Sequence, residues 1–142
     1  MPTPSFLAGT TYFSGAGGLT SSTEDFARFA QMLVNGGEFN GKRVLSPRTV
    51  KLLGSNHVGK LFGGQLGRPR EGLGFGFGVE VVQDAITAGW QRSNGSYGWD
   101  GAFGTIFEVD PREQMIVVLM MQRYSQEIYR DLENAVRQAI ID

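Results

Sequence analysis

The run TIFEVDPREQMIVVLMM, Thr105 to Met121, is the strongest constraint on how this chain folds. It reads as two strands joined by DPRE, a turn with Pro111 in the second position, which suits a type I turn. The first strand is expected over 103–109 and the second over 115–121. MIVVLMM has no polar alternation. A strand apolar on both sides must be covered on both faces, so it is expected in the centre of a sheet. A helical stretch follows at once. In SQEIYRDLENAVRQAIID, the residues Ile128, Leu132, Ala135, Val136, Ala139 and Ile140 form one apolar stripe.

The earlier part of the chain supplies the other elements. In LTSSTEDFARFAQMLVNGG, Ser21 and Glu24 have capping-box spacing. Phe26, Phe29, Ala30, Leu33 and Val34 then follow one buried helical stripe, and Gly36 and Gly37 end it. EFNGKRVL reads as a connector. SPRTVKLLGSN reads as a second helix, with Ser46 as N-cap, Pro47 in the first turn, and Leu45 and Val50 spaced as a hydrophobic staple. LGFGFGVEVV, 73–82, alternates and is expected to be one strand, with Phe75, Phe77, Val79 and Val81 on one face. Residues 59–72 and 84–96 read as loops. The order is helices, an antiparallel meander, then a helix packed on it. The fold class is therefore α+β, with an antiparallel sheet of about three to four strands.

Length and composition narrow the function. The chain has 142 residues, which fits one domain over 1–142. The net charge is -1 with acids and bases nearly balanced, which argues against a nucleic-acid or anionic-membrane partner. No cysteine is present, so neither disulfides nor Cys-based metal sites are expected. No apolar run reaches the roughly 20 residues of a membrane span, and MPTPSFLAGTTYF lacks the features of a secretion signal. Compartment is left open. Glycine stands out at 21 residues, gathered at 15–18, 36–41, 63–78 and 95–104. Such patches between ordered segments point to functional loops.

Several motifs have bland explanations. GAGGLT, 15–20, precedes a helix but has Thr20 where a dinucleotide fingerprint needs a third glycine, and no Walker lysine follows. LGFGFGVE has a basic-Gly-aromatic flavour of RNA binding, but Leu73, Gly78 and Glu80 break that pattern. His57 is the only histidine, which disfavours a zinc site, and no G-x-S-x-G elbow is present. Asp110 and Glu113 belong to the hairpin turn. Arg68, Arg70 and Glu71 read as solvated loop residues. No metal and no cofactor is expected.

YGWDGAFGT, Tyr97 to Thr105, has two readings. It is a glycine-relieved bend with Trp99 in the core, or a strand edge beside a cleft. In the second case Gly101 admits a ligand carbonyl to the backbone, the following N–H groups stabilise an oxyanion, Trp99 forms an apolar wall and Asp100 orients a hydroxyl.

Taken in order, SGAGGLTSSTEDFARFAQMLVNGGEFNGKRVLSPRTV, GFGFGVEV, YGWDGAFGTIFEVDP and MIVVLMMQ closely resemble the C-terminal part of the serine β-lactamase and penicillin-binding-protein-like family. The nearest branch is that of class C β-lactamases and related esterases and D-aminopeptidases, and the likeness spans about residues 12 to 142. The resemblance implies a partial β-lactamase/transpeptidase-like fold. It also implies ester or amide hydrolysis through an acyl-enzyme, on a small-molecule substrate. Trp99-Asp100-Gly101 falls where that family carries its third motif, often Lys-Thr-Gly. The resemblance makes Ala102 the backbone oxyanion donor, and Trp99, Asp100, Gly101, Gly17 and Gly18 substrate-binding. No Lys or His precedes Gly101, which favours an esterase-like substrate over a β-lactam. Ser-x-x-Lys, Tyr-x-Asn and Ser-x-Asn are all absent from the chain. The expectation is a C-terminal segment lacking the nucleophile-bearing part and inactive alone. It would be completed by a missing N-terminal segment or by forming a homo-oligomer. The competing expectation is a noncatalytic, self-associating or binding module that keeps the partial fold.

Overall fold

The computed structural model describes residues 15, 17, 19–62 and 70–141. In chain order the elements are α1 (Thr23–Val34), β1 (Glu38–Phe39), β2 (Lys42–Arg43), α2 (Pro47–Leu53), β3 (Leu73–Phe75), β4 (Glu80–Val82), α3 (Ala85–Ala88), β5 (Tyr97–Asp100), β6 (Thr105–Asp110), β7 (Met115–Met120) and α4 (Gln126–Gln138). The main sheet has the order β3-β4-β5-β6-β7, antiparallel throughout, and β1-β2 is a separate two-stranded ribbon. The architecture is α+β as expected, with five strands in the main sheet rather than three or four.

Local chemistry explains most of the elements. The N-cap of α1 is Ser22, one residue later than the expected Ser21; its hydroxyl accepts from the Asp25 N–H at 3.1 Å. Ser46 caps α2 by accepting from Thr49 N–H at 3.0 Å. The supposed connector is a hairpin, because Asn40 and Gly41 both adopt positive φ (50° and 72°), the geometry of a type I′ turn. Asp84 starts α3 inside the second expected loop, accepting from Ile86 and Thr87 N–H groups.

Two strand expectations are corrected. The alternating run 73–82 is a hairpin, β3 and β4, rather than one strand. Its turn closes by Gly76 N–H donating to Val79 O at 2.8 Å, and Gly78 adopts φ +76°. A Cβ on Gly76 would lie 2.1 Å from Leu53 O, so the glycines here reverse the chain against the end of α2. Phe77, expected on the buried face, is 60% exposed at the turn. The second correction concerns β7. It is an edge strand among the described residues, not a central one. Its apolar run reflects helices on both faces, which is independent of having neighbours on both sides.

The register sorts the sheet into two faces, because paired residues share a face and successive residues alternate. Val81, Tyr97, Phe107, Val109, Ile116 and Val118 face α1 and α2, where they meet Ala30, Leu33, Val34 and Val50. The α1 stripe is shifted from the expected one: Met32 is buried while Phe29 is 43% exposed. Ile106, Glu108, Asp110 and Val117 face the other way, toward α4.

That second face is held by charge. Arg137 on α4 pairs with Glu108 and, at 3.3 Å, with Asp110. Arg92 pairs with Glu108 at 3.0 Å and with Glu133 at 2.8 Å, and also contacts the Tyr129 hydroxyl. Tyr129, Glu133 and Arg137 follow one another at four-residue spacing, so one helical stripe supplies all three contacts. The expected apolar stripe of α4 holds only in part: Leu132 and Val136 are half-buried beside Ile106 and Val117, but Ile128 is 51% exposed, whereas Arg137 is 8% exposed. Burial pulls the Arg137 guanidinium down to about 10, with the charge of Arg92 adding to it.

Candidate active site

The stretch Tyr97–Thr105 is the β5–β6 hairpin. Gly101 N–H donates to Thr105 O at 2.7 Å and Gly104 N–H to Gly101 O at 2.9 Å, which closes the loop. Gly104 adopts φ +89°, where glycine is favoured. A Cβ on Gly98 would stand 2.1 Å from Phe107 O, and one on Gly101 would stand 2.3 Å from Thr105 Oγ1. Much of the glycine content here thus serves the hairpin itself. β5 is also the third of five strands, paired on both sides, rather than a sheet edge.

Its end is nevertheless open on one side. Because Gly101 and Thr105 form a hydrogen-bonded pair, Asp100 and Ile106 are a non-hydrogen-bonded pair. The main-chain N–H and C=O of Asp100 therefore turn away from β6, toward the side where β4 runs. The last β4 pairing on that side is Glu80 with Gly98. From Asp100 onward the backbone has passed the end of the β4 ladder. Ala102 is exposed in the loop, and its N–H reaches no acceptor among the described residues. Open main-chain donors at a strand end are the geometry an oxyanion needs.

Two hollows meet at this point. One, about 360 Å³, lies on the α1 face and is mainly apolar; Leu19, Phe26, Phe107 and Met120 line it together with Trp99 and Asp100. The other, about 560 Å³, lies on the α4 face between β4, β5 and the start of α4; Glu80, Trp90, Arg92, Tyr124 and Tyr129 line it, again with Trp99 and Asp100. Trp99, 39% exposed, meets the Phe75 ring edge-on at 5.3 Å between centroids. The Asp100 carboxylate is exposed and makes no hydrogen bond or ion pair among the described residues. Burial raises the Glu80 carboxyl above its ordinary range despite the opposing charge of its partner Arg70. Burial raises the Tyr129 phenol as well.

The other expected residues fall as follows. Gly17 is an exposed bend that lines neither hollow, while Leu19, Thr20 and Ser21 just after it line the apolar one. Gly18 and Arg68 lie outside the described residues. Arg70, read from sequence as solvated, pairs with Glu80. His57 is exposed, stacks on Phe77 at 4.4 Å, and sets Nε2 2.7 Å from Leu52 O. Asp110 is fully buried; besides holding Arg137 it accepts from the Arg112 and Glu113 N–H groups, fixing the β6–β7 turn. No group of three metal-ligating side chains occurs among the described residues. Sequence reasoning missed Glu80 and Arg92 as lining residues. The signal for Glu80 was present: a lone acid facing away from the apolar positions of its strand.

The comparisons with known proteins agree on a family. The model of the family described as Beta-lactamase matches residues 1–140. Protein Rv1367c of Mycobacterium tuberculosis is 31% identical over 125 residues, covering 84% of this chain and 31% of that protein. Among solved structures, EstCE1, described as a hydrolase with promiscuous acyltransferase activity, superposes with TM-score 0.74 at 29% identity, covering 90% of this chain and 32% of that one. A beta-lactamase from Mycobacterium bovis shares the fold at 21% identity, with TM-score 0.60, covering 84% of this chain and 43% of that one. The chain thus spans about a third of the length of the curated relatives it matches.

Proposed function

Because the chain belongs to the beta-lactamase family, we propose that it is the C-terminal portion of a serine hydrolase, contributing the third-motif strand and an oxyanion donor but not the nucleophile. A serine elsewhere attacks an ester or amide carbonyl, the carbonyl oxygen takes up the negative charge, the leaving group departs, and water releases the acyl group. Ala102 N–H stabilises that oxygen, Trp99 walls the acyl group, and Asp100 orients a polar group of the substrate. The observation that carries this reading is the exposed Ala102 N–H, which has no acceptor among the described residues, at the end of a strand that has outrun its β4 neighbour. The absence of Ser-x-x-Lys and Tyr-x-Asn supports placing the nucleophile outside this sequence. Trp99 in place of a Lys favours an ester over a β-lactam carboxylate.

The purified chain is expected to hydrolyse neither p-nitrophenyl butyrate nor nitrocefin above the buffer rate; clear turnover would contradict the assignment of the nucleophile. In a polypeptide that also carries the nucleophile segment, Ala102→Pro removes the donor and lowers kcat by about 100- to 1000-fold. An unchanged kcat would remove Ala102 from the mechanism.

A second reading, a noncatalytic self-associating module, is favoured by one observation. Among the described residues β7 is an edge strand, six half-buried residues without charge or proline, the kind of edge that pairs with another strand. Light scattering separates the readings: a stable homodimer supports self-association, and a monomer at high concentration counts against it.

A further inference from the structure

Trp99 stands at the end of a chain of contacts that reaches well away from the candidate site. Its ring meets Phe75 at 5.3 Å, Phe75 meets Phe62 at 5.1 Å, and the Arg70 guanidinium lies over Phe62 at 5.1 Å. Arg70 is in turn ion-paired to Glu80, whose side chain is only 12% exposed. Phe62 is buried, whereas Trp99 is 39% exposed, opposite Phe107 on the neighbouring strand and edge-on to Phe75. Glu80 and Asp100 lie on one face of neighbouring strands, so the stack closes back on the motif that it supports.

We propose that Phe75 and Phe62, locked by the Arg70–Glu80 pair, are positioning residues that fix the orientation of Trp99 and so set the width of the gap between the two hollows. This rests on the reading of Trp99 as a substrate wall only for its consequence; the positioning itself stands apart from any reaction. An anchored Trp99 keeps the apolar hollow separate from the polar one and confines the acyl group to the α1 face. A released Trp99 joins them, and the site takes broader substrates. The anchor is also sensitive to protonation, since Glu80 faces Arg70, Arg92, Asp100 and Tyr129, and loss of its charge unlocks Arg70.

Tryptophan fluorescence of the chain itself provides the test. Trp90→Phe leaves Trp99 as the single reporter. In that background Arg70→Gln and Glu80→Gln, neither of which alters a residue touching the Trp99 ring, are expected to raise acrylamide quenching of Trp99. A contact of this class shifts side-chain populations about two- to fivefold. Phe75→Leu is expected to raise quenching at least as much. Far-UV circular dichroism confirms that each variant remains folded. As pH falls through the range where Glu80 protonates, quenching rises in the parent and in Asp100→Asn, and stays flat in Glu80→Gln. His57, whose main-chain N–H donates to Phe75 O, is checked by His57→Gln, which is expected to keep the step. Unchanged quenching in folded Arg70→Gln and Glu80→Gln overturns the proposal, even if Phe75→Leu responds. No substrate turnover enters the measurement, so a failure of the hydrolase reading leaves this result standing, and the reverse also holds.

Discussion

The two faces of the sheet are built on opposite principles. The α1 face is an apolar core, with Ala30, Leu33, Val81, Tyr97 and Val109 all nearly inaccessible. The α4 face is closed by two arginines and three carboxylates. An apolar face tolerates imperfect partners, because dispersion and burial are additive and non-directional. A buried ion network tolerates none, because each charge depends on the others for its solvation. The same sheet therefore has one face that fails gradually and one that fails when a single group is removed.

The sharpest way to break this contrast is Glu108→Gln, which takes from both Arg92 and Arg137 a shared carboxylate. We expect a loss of about 3–5 kcal/mol in a urea unfolding titration. A loss below about 1 kcal/mol would mean that the network is wetter than its burial suggests. Next is Leu33→Ala on the α1 face, expected to cost about 2–5 kcal/mol by the same titration. The two faces then separate by their rescue. Replacing Arg92, Glu108 and Arg137 together by apolar residues of similar volume, with Asp110→Asn and Glu133→Gln so that neither carboxylate is left without its arginine, should recover most of the Glu108→Gln loss. No further substitution around the Leu33→Ala site should recover its loss without refilling the cavity.

The smallest expected effect at neutral pH is Tyr97→Phe. The Tyr97 hydroxyl is buried without a hydrogen-bond partner among the described residues, and its ring sits where a Cβ on Gly54 would intrude. Removing that hydroxyl should leave stability within about 1 kcal/mol of the parent, or raise it slightly. Its pH signature is more telling. Burial pushes the Tyr97 phenol up from 10.0 to about 12. Above pH 10 the unfolded chain loses this proton while the fold retains it, so stability falls as pH rises through the window from 10 to about 12. The parent should lose about 2–3 kcal/mol more than Tyr97→Phe across that window, and parallel curves would contradict the burial of the phenol.

The contrast between the faces also explains what could be read from sequence. The α1 helix, the Ser46–Pro47 start of α2 and the β6–β7 hairpin follow from spacing alone, and each is present, though the buried stripe of α1 takes in Met32 and leaves out Phe29. The apolar α1 face was legible because apolar spacing reports burial. The α4 face was not, because a search for apolar stripes passes over Tyr129, Glu133 and Arg137, though they share the same four-residue spacing. Asp110 was read only as part of the hairpin turn, and nothing in the spacing of TIFEVD shows that Glu108 and Asp110 meet arginines supplied by positions 92 and 137. The 73–82 hairpin was hidden because its turn glycines continue the alternation of the strands they join. The edge position of β7 was hidden because apolar composition reports what covers the faces, not what lies alongside. At the site, sequence pointed to Trp99–Ala102; it gave no sign that β4 would stop pairing at Gly98, a tertiary fact.

The backbone just past Gly101 offers, on an ordered strand end, a donor with no acceptor among the described residues. Amide hydrogen exchange, resolved by residue, tests it most directly. We expect Ala102 to exchange near the rate of an unprotected amide, while Gly101 and Gly104, which donate to Thr105 O and Gly101 O, exchange slowly. An Ala102 amide as slow as its two neighbours would mean the donor is already engaged, and the oxyanion role would be lost with it.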